Sequence, residues 1–263
     1  MYSESITLGK MEISLLSSLE HDKKAIFTFS DALQRLSYTK RQVVRNVLSR
    51  LVKKGRIKRI KKGYYLLVPF RFKDWGEHEF SLVPLLAKEY YISFWSALSF
   101  WSMTEQLPRQ IYIATKYQIN QRSFEEVSYL FVKVAPRYFF GFVETEISGR
   151  KVNIALKEKT ILDCLLHPEY CGGLGEVAKA IRDSWKDLDW MKVKEYVERM
   201  KSSAVERRLF YILSFLKLKK PLSVLGKKKF AGFRLLDPNA LNEGKYDSRA
   251  GVRVNVNLEE EML

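Results

Sequence analysis

The chain has 263 residues, enough for two domains at roughly 150 residues each. Apolar residues make up 46% and aromatics 13%, which excludes a disordered or collagen-like chain, and 46 Lys+Arg against 30 Asp+Glu leave +16, a surplus that attracts polyanions. With Cys164 and Cys171 the only cysteines, no signal-peptide pattern, and no uncharged run longer than the 15 residues of Tyr90 to Thr104, a disulfide framework and a bilayer span (about 20 residues) are excluded and a cytoplasmic protein is expected.

Charge divides the chain near Val68. Residues 1–68 hold 15 basic and 5 acidic side chains, net +10, and the remaining 195 hold 31 and 25, net +6. Lys10 to Leu19 reads as a short helix, and Ser30 is placed to cap a second one through Leu36. Ser37 or Thr39 caps a third, running to Lys53, on which Val43, Val44, Val47, Leu48 and Leu51 share one stripe. Gln42, Arg45, Asn46, Ser49 and Lys53 occupy the opposite side. Gly55 ends this helix, and Arg56 to Ile60, Lys61-Lys62-Gly63 and Tyr64 to Val68 read as strand, tight turn and strand. Ile57 and Ile60 break strict alternation, which a bulge or a twisted ribbon would reconcile.

From Lys40 to Lys62, 11 of 23 residues are basic and none is acidic. A solvated face ordinarily mixes both signs, so this run reads as an electrostatic footprint. Three helices followed by a basic hairpin is the organisation of a winged helix-turn-helix, in which the third helix enters a major groove. Arginine matches guanine O6 and N7, and Asn or Gln matches adenine N6 and N7. Gln42, Arg45 and Asn46 are therefore the candidate base readers. Arg41 and Arg50 flank them and Lys53 lies further along as phosphate contacts, Thr39, Lys40 and Ser49 belong to the same DNA-binding surface, and Lys58, Arg59, Lys61 and Lys62 ride on the wing over backbone or minor groove. The expected partner is double-stranded DNA.

Pro69 to Trp75 reads as linker, giving domains at 1–68 and 81–263 with residues 69–80 between them. The fold class expected is α+β, a winged helix followed by a larger mixed α/β domain. In the second region Ser96 to Ser102 suggests a short aromatic helix, Ile111 to Thr115 and Tyr129 to Ala135 strands, and Phe139 to Leu156 a hairpin turning at Ser148-Gly149. Glu158 to Leu166, Glu176 to Trp185, Asp189 to Met200 and Ser203 to Leu216 read as amphipathic helices, the last opened by a Ser203–Glu206 capping box. Arg249 to Leu258 reads as a late strand and Glu259 to Glu261 as a solvated tail. A second basic group stands at Lys217, Lys219, Lys220 and Lys227 to Lys229.

Catalytic signatures are sparse. The histidines, 21, 78 and 167, form no His-x-x-x-His pair. Cys164, His167 and Cys171 have metal-like spacing without an evident fourth ligand, and Gly172 to Gly175 follows a helix rather than the strand a phosphate loop requires. Glu144 and Glu146 with Lys151 or Lys157 match either a magnesium-dependent nuclease core or the polar row of a hairpin, and the row is the simpler reading. Tyr91, Phe94, Trp95, Phe100 and Trp101 fit a core better than a base-stacking platform. No cofactor and no metal are called for. A nuclease core or an RNA-binding module, each delivered by the winged helix, are the alternatives to a regulator.

The strings Tyr91-Ile-Ser-Phe-Trp-Ser-Ala-Leu98, Thr104-Glu-Gln-Leu-Pro-Arg-Gln-Ile-Tyr-Ile-Ala-Thr115, Glu158-Lys-Thr-Ile-Leu-Asp-Cys-Leu-Leu166, Gly172-Gly173 and Glu176-Val-Ala-Lys-Ala180 resemble the AbiEi-type antitoxins of type IV toxin-antitoxin systems. Ser102-Met103 departs from the Gly-Leu common there. The resemblance covers both regions and implies a regulator that binds inverted repeats in its own promoter. It also implies an antitoxin that counteracts a nucleotidyltransferase-like toxin, without catalytic residues of its own.

Overall fold

The computed structural model describes residues 7–22, 24–37, 40–68, 79–124 and 127–262 of the chain, which divides into two compact units, Met1–His78 and Glu79–Leu263. Its class is mixed α+β, with helices and three sheets among the described residues. None of the described helices is long and apolar enough to cross a membrane. Of the expected linker, 69–78 lies outside the described residues, while Glu79 and Phe80 already belong to a 3-10 turn, Glu79–Leu82, of the second unit.

The first unit runs α1 (Lys10–His21), β1 (Ile26–Thr28), α2 (Phe29–Arg35), α3 (Arg41–Lys53), β2 (Ile57–Lys61) and β3 (Tyr64–Leu67). The cap of α2 is Thr28 and not Ser30: its Oγ1 accepts from Asp31 N at 3.1 Å while the Asp31 carboxylate accepts from Thr28 N at 2.7 Å. Thr28 ends β1, which pairs with β3, so the strand fixes where the helix begins. Helix α3 starts after Lys40 with no side-chain cap; the Ser37 hydroxyl donates to Gln34 O instead, and Thr39 lies outside the described residues. Val44, Val47, Leu48 and Leu51 bury the stripe of α3 against Leu15, Leu16 and Leu19 of α1 and Phe27 of β1. Strands β1, β3 and β2 form an antiparallel sheet in that order, and the β2–β3 register shifts between Arg59 and Lys61, a bulge at Ile60 that accounts for the broken alternation.

The second unit comprises α4 (Val83–Leu86), β4 (Tyr90–Ile92), α5 (Phe94–Phe100), β5 (Gln110–Thr115), β6 (Arg122–Phe124), β7 (Val127–Lys133), β8 (Phe142–Ile147), β9 (Arg150–Ala155) and α6 (Lys157–Leu166). There follow α7 (Leu174–Ser184), α8 (Trp190–Met200), α9 (Ser203–Phe215), α10 (Lys219–Leu225), β10 (Arg234–Leu235), β11 (Lys245–Asp247), β12 (Val252–Val254) and α11 (Leu258–Glu261). A six-stranded mixed sheet has the order β6-β7-β5-β4-β9-β8, and a separate small sheet the order β10-β12-β11. Ser102, where the resemblance leads one to look for glycine, adopts φ +54° and closes α5 in the left-handed conformation.

Helix α6 packs against α5, α7, α8 and α9 and is buried from Glu158 to Leu165. Its polar members are satisfied internally: the Lys159 ammonium pairs with Asp163 and donates to Tyr91 Oη at 3.0 Å, and Ser93 Oγ donates to Asp163 Oδ2 at 2.8 Å. Burial pushes the Lys159 ammonium down from its ordinary range, against the pull of Asp163. Three expectations are corrected here. The cap of α9 is Ser202, while Ser203 accepts from Arg207 Nε at 2.9 Å and Glu206 pairs with Lys228. The late strand ends at Val254, because the Asn255 side chain takes Asp237 N and O as its partners and Asn257 caps α11. The acidic end is that helix and no free tail, with Glu261 Oε2 accepting from Gly175 N at 2.9 Å.

Candidate nucleic-acid interface

On α3, Gln42, Arg45, Asn46 and Ser49 recur at positions i, i+3, i+4 and i+7 and form one face opposite the buried valines and leucines. They are ordered among themselves: Gln42 Nε2 donates to Asn46 Oδ1 at 3.1 Å, and Arg45 approaches Gln42 Oε1 at 3.5 Å with its guanidinium carbon 5.9 Å from the Phe29 ring centre. Between this face and the β2–β3 hairpin lies an open groove of about 510 Å³, with Phe29, Val52 and Tyr65 as apolar floor and Arg45, Arg59 and Lys62 at its rim. Tyr65 is fixed by stacking on Phe27 at 5.6 Å, and Lys61 Nζ stands 4.6 Å from the Tyr64 ring centre. An apolar floor under a cationic rim suits a sugar-phosphate strand, whose charge meets the rim and whose sugars meet the rings.

The remaining bases divide by position. Lys40 and Arg41 are exposed at the start of α3 and Lys53 at its end; on the hairpin Arg59 and Lys62 are exposed and Lys58 half-buried. Arg50 has an additional role: its Nε donates to Glu12 Oε1 at 2.8 Å, with Lys54 Nζ on Oε2 at 2.6 Å, although the Arg50 side chain stays 55% exposed. Burial pushes the Glu12 carboxyl up, but the hydrogen bonds from Lys54, Gly9 N and Arg50 together hold it below its ordinary value. Asp22 pairs with Arg35 and Asp31 with Lys24, so these acids are engaged away from α3's outer face. Phe29, Tyr65 and Glu12 had no signal in the sequence as site residues, since each comes from another element and meets α3 only in the folded unit.

The other chemical candidates fall to structural roles. Cys164 and Cys171 are buried, the Cys171 thiol donates to main-chain carbonyls at 3.4 to 3.6 Å and is pushed well up by burial, and no metal-holding group of His, Cys, Asp or Glu occurs among the described residues. Glu144 pairs with Lys151 at 2.8 Å on the exposed β8–β9 hairpin, and Glu146 stands opposite Lys151 in register. Tyr91 and Phe94 are fully buried, and the Trp101 indole donates to Ala155 O at 2.7 Å. Gly172 and Gly173 have φ of +80° and +90°, and a side chain at Gly172 would meet Trp95 at 3.2 Å, so this pair makes the turn into α7.

A search of curated proteins returns no match. Among solved structures, the Rv2827c protein of Mycobacterium tuberculosis superposes with a TM-score of 0.67 at 13% identity, over 94% of this chain and 92% of that one, a shared fold along nearly the whole length. The family model described as "Transcriptional regulator, AbiEi antitoxin" matches residues 14–68, the span from α1 to the end of the hairpin. Residues 14–68 thus match the AbiEi antitoxin family of transcriptional regulators.

Proposed function

We propose that residues 1–68 act as a winged helix-turn-helix and that the protein is a sequence-specific DNA-binding transcriptional regulator. It represses its own promoter through inverted repeats as the antitoxin of a type IV system, opposing a nucleotidyltransferase-like toxin. The family match and the order helix, strand, helix, helix, hairpin support this reading. One observation carries it: the face of Gln42, Arg45, Asn46 and Ser49 is ordered beside a cationic groove, in a segment, 40–68, that holds no acidic residue. In this reading α3 lies in the major groove, Arg45, Asn46 and Gln42 meet base edges, and Lys58, Arg59, Lys61 and Lys62 position the hairpin on phosphate.

Titration against operator and random duplexes at several salt concentrations separates readers from positioners. Arg45→Ala loses about 1 to 3 kcal/mol on the operator alone and narrows its advantage over random sequence. Lys61→Ala with Lys62→Ala weakens both duplexes alike and reduces the salt slope by about 0.9 for each phosphate no longer neutralised. The reverse pattern would assign sequence reading to the hairpin. Arg45→Ala, expressed with the toxin from an unrelated promoter, keeps its protective effect; loss of protection in a folded variant would make DNA binding itself the protective act.

A further inference from the structure

Positive charge is uneven in the second unit as well. Residues 217–253 hold ten basic and three acidic side chains, a surplus of +7 against +6 for all of residues 69–263, so the rest of that region carries −1. This segment forms α10 and the small sheet β10-β12-β11. Cross-strand register aligns Leu235, Arg253 and Tyr246 in one row. Val252, one residue from Arg253, is fully buried where β12 meets α9, so the row faces outward, and Phe233, two residues before Leu235, lies on its side. Phe233 and Tyr246 are 50% and 61% exposed, yet their ring centres are 4.7 Å apart at 56°. The Arg253 guanidinium carbon is 5.3 Å from the Tyr246 ring centre and is oriented by bonds to Asn242 Oδ1 at 2.8 Å and Gly244 O at 3.3 Å.

The face is braced from beneath. Arg207 of α9, 5% exposed, donates to Ala231 O, Gly232 O and Gly251 O at 2.6 to 2.7 Å, and Arg208 donates to Leu236 O at 2.8 Å. Gly244, at φ +100°, lies so close to β12 that any side chain there would collide with the Val254 carbonyl. Single exposed apolar residues are ordinary, but two paired rings with an oriented arginine on a braced sheet form a stacking surface.

We propose that this outer face is a second nucleic-acid site, which takes unpaired bases of a single strand on Phe233 and Tyr246 while Arg253 meets its phosphates. Bases in a duplex are already stacked and offer only edges and backbone, whereas every unpaired base offers a ring face. An acidic protein surface would use the charge, but its carboxylates gain nothing from the ring faces. The inference is independent of how α3 is read.

Fluorescence anisotropy of the full chain with labelled oligo-dU, oligo-U and a random duplex tests it. Both single strands bind, and the tighter one identifies the preferred sugar. Tyr246→Ala and Phe233→Ala each weaken single-strand binding roughly 5- to 150-fold and leave duplex binding unchanged, while Tyr246→Phe retains it and Arg45→Ala spares it. Both rings are exposed, so these changes leave the core intact. Absence of single-strand binding, as when the face serves a protein partner, overturns the proposal. So does binding that survives the Phe233→Ala/Tyr246→Ala double variant or disappears in Arg45→Ala.

Discussion

Glu12 shows how one side chain conditions the interface without facing it. It is 1% exposed on α1, and its two oxygens accept from Gly9 N, Arg50 and Lys54. A carboxylate with three donors is stable when buried, and it draws Arg50 and Lys54 of the α3 C-terminal turn toward α1. Its pKa is lower in the folded unit than in the unfolded chain, so its stabilisation is complete above the ordinary carboxylate range and is lost as pH falls through the folded value. Asp31, with Lys24 and Thr28 around it, is also held low and adds to the same acid sensitivity. Glu12→Gln is expected to destabilise the first unit by about 1 to 3 kcal/mol at neutral pH, since two cations then share a weaker acceptor. Denaturant unfolding of both proteins at neutral pH and well below the carboxylate range checks this. The gap closes in acid, where the native side chain is protonated as well, and a gap of equal size at both pH values would show that shape, not charge, makes the contact.

At the scale of elements, what the sequence showed depended on length and on how far apart the partners lie. Helix α3 was legible because thirteen residues display a full apolar stripe and an uninterrupted polar face, and the same wheel selected Gln42, Arg45 and Asn46. Strand β1 has three residues, too few for a period to appear, yet it decides that Thr28 rather than Ser30 caps α2. Helix α6, expected to be amphipathic, is instead buried from Glu158 to Leu165, where Lys159 and Asp163 satisfy each other inside the core. The small sheet left least trace, because strands of two or three residues depend on Arg207 and Arg208 from α9 for their place. Arg207→Leu removes donors from three carbonyls, of which Gly251 O keeps Arg234 N while Ala231 O and Gly232 O lose theirs, at about 1 to 3 kcal/mol per group left unsatisfied. Unfolding of the second unit at roughly 2 kcal/mol or more below the native protein is the expected outcome, with Arg45-dependent duplex binding retained at temperatures where the first unit remains folded. A loss below about 0.5 kcal/mol would mean that water replaces the guanidinium and that the sheet holds itself.

On the scale of the whole molecule, two separate cores carry two separate concentrations of charge. The first core, from Leu15 to Leu67, is made entirely by residues of the first unit, and burying each large aliphatic side chain contributes about 1.5 to 3 kcal/mol. A unit of this size buries a smaller share of its surface than a larger domain, so its stability is low but its own. Its +10 charge is likewise local to residues 1–68, whereas the +7 of residues 217–253 belongs to the other unit. A fragment of residues 1–78 is therefore expected to fold cooperatively and to bind duplex DNA at low salt, with log affinity falling linearly with log salt at about 0.9 per phosphate engaged. Single strands that bind the full chain through Tyr246 bind the fragment only as weak polyanions, because the rings of its groove, Phe29 and Tyr65, are half-buried. Circular dichroism melting and anisotropy on fragment and full chain measure both statements. A fragment that folds but ignores duplex at low salt, where the full chain binds it, would move the interface away from α3 and the hairpin. The basic run would then serve a different anion, and duplex binding would require the second unit.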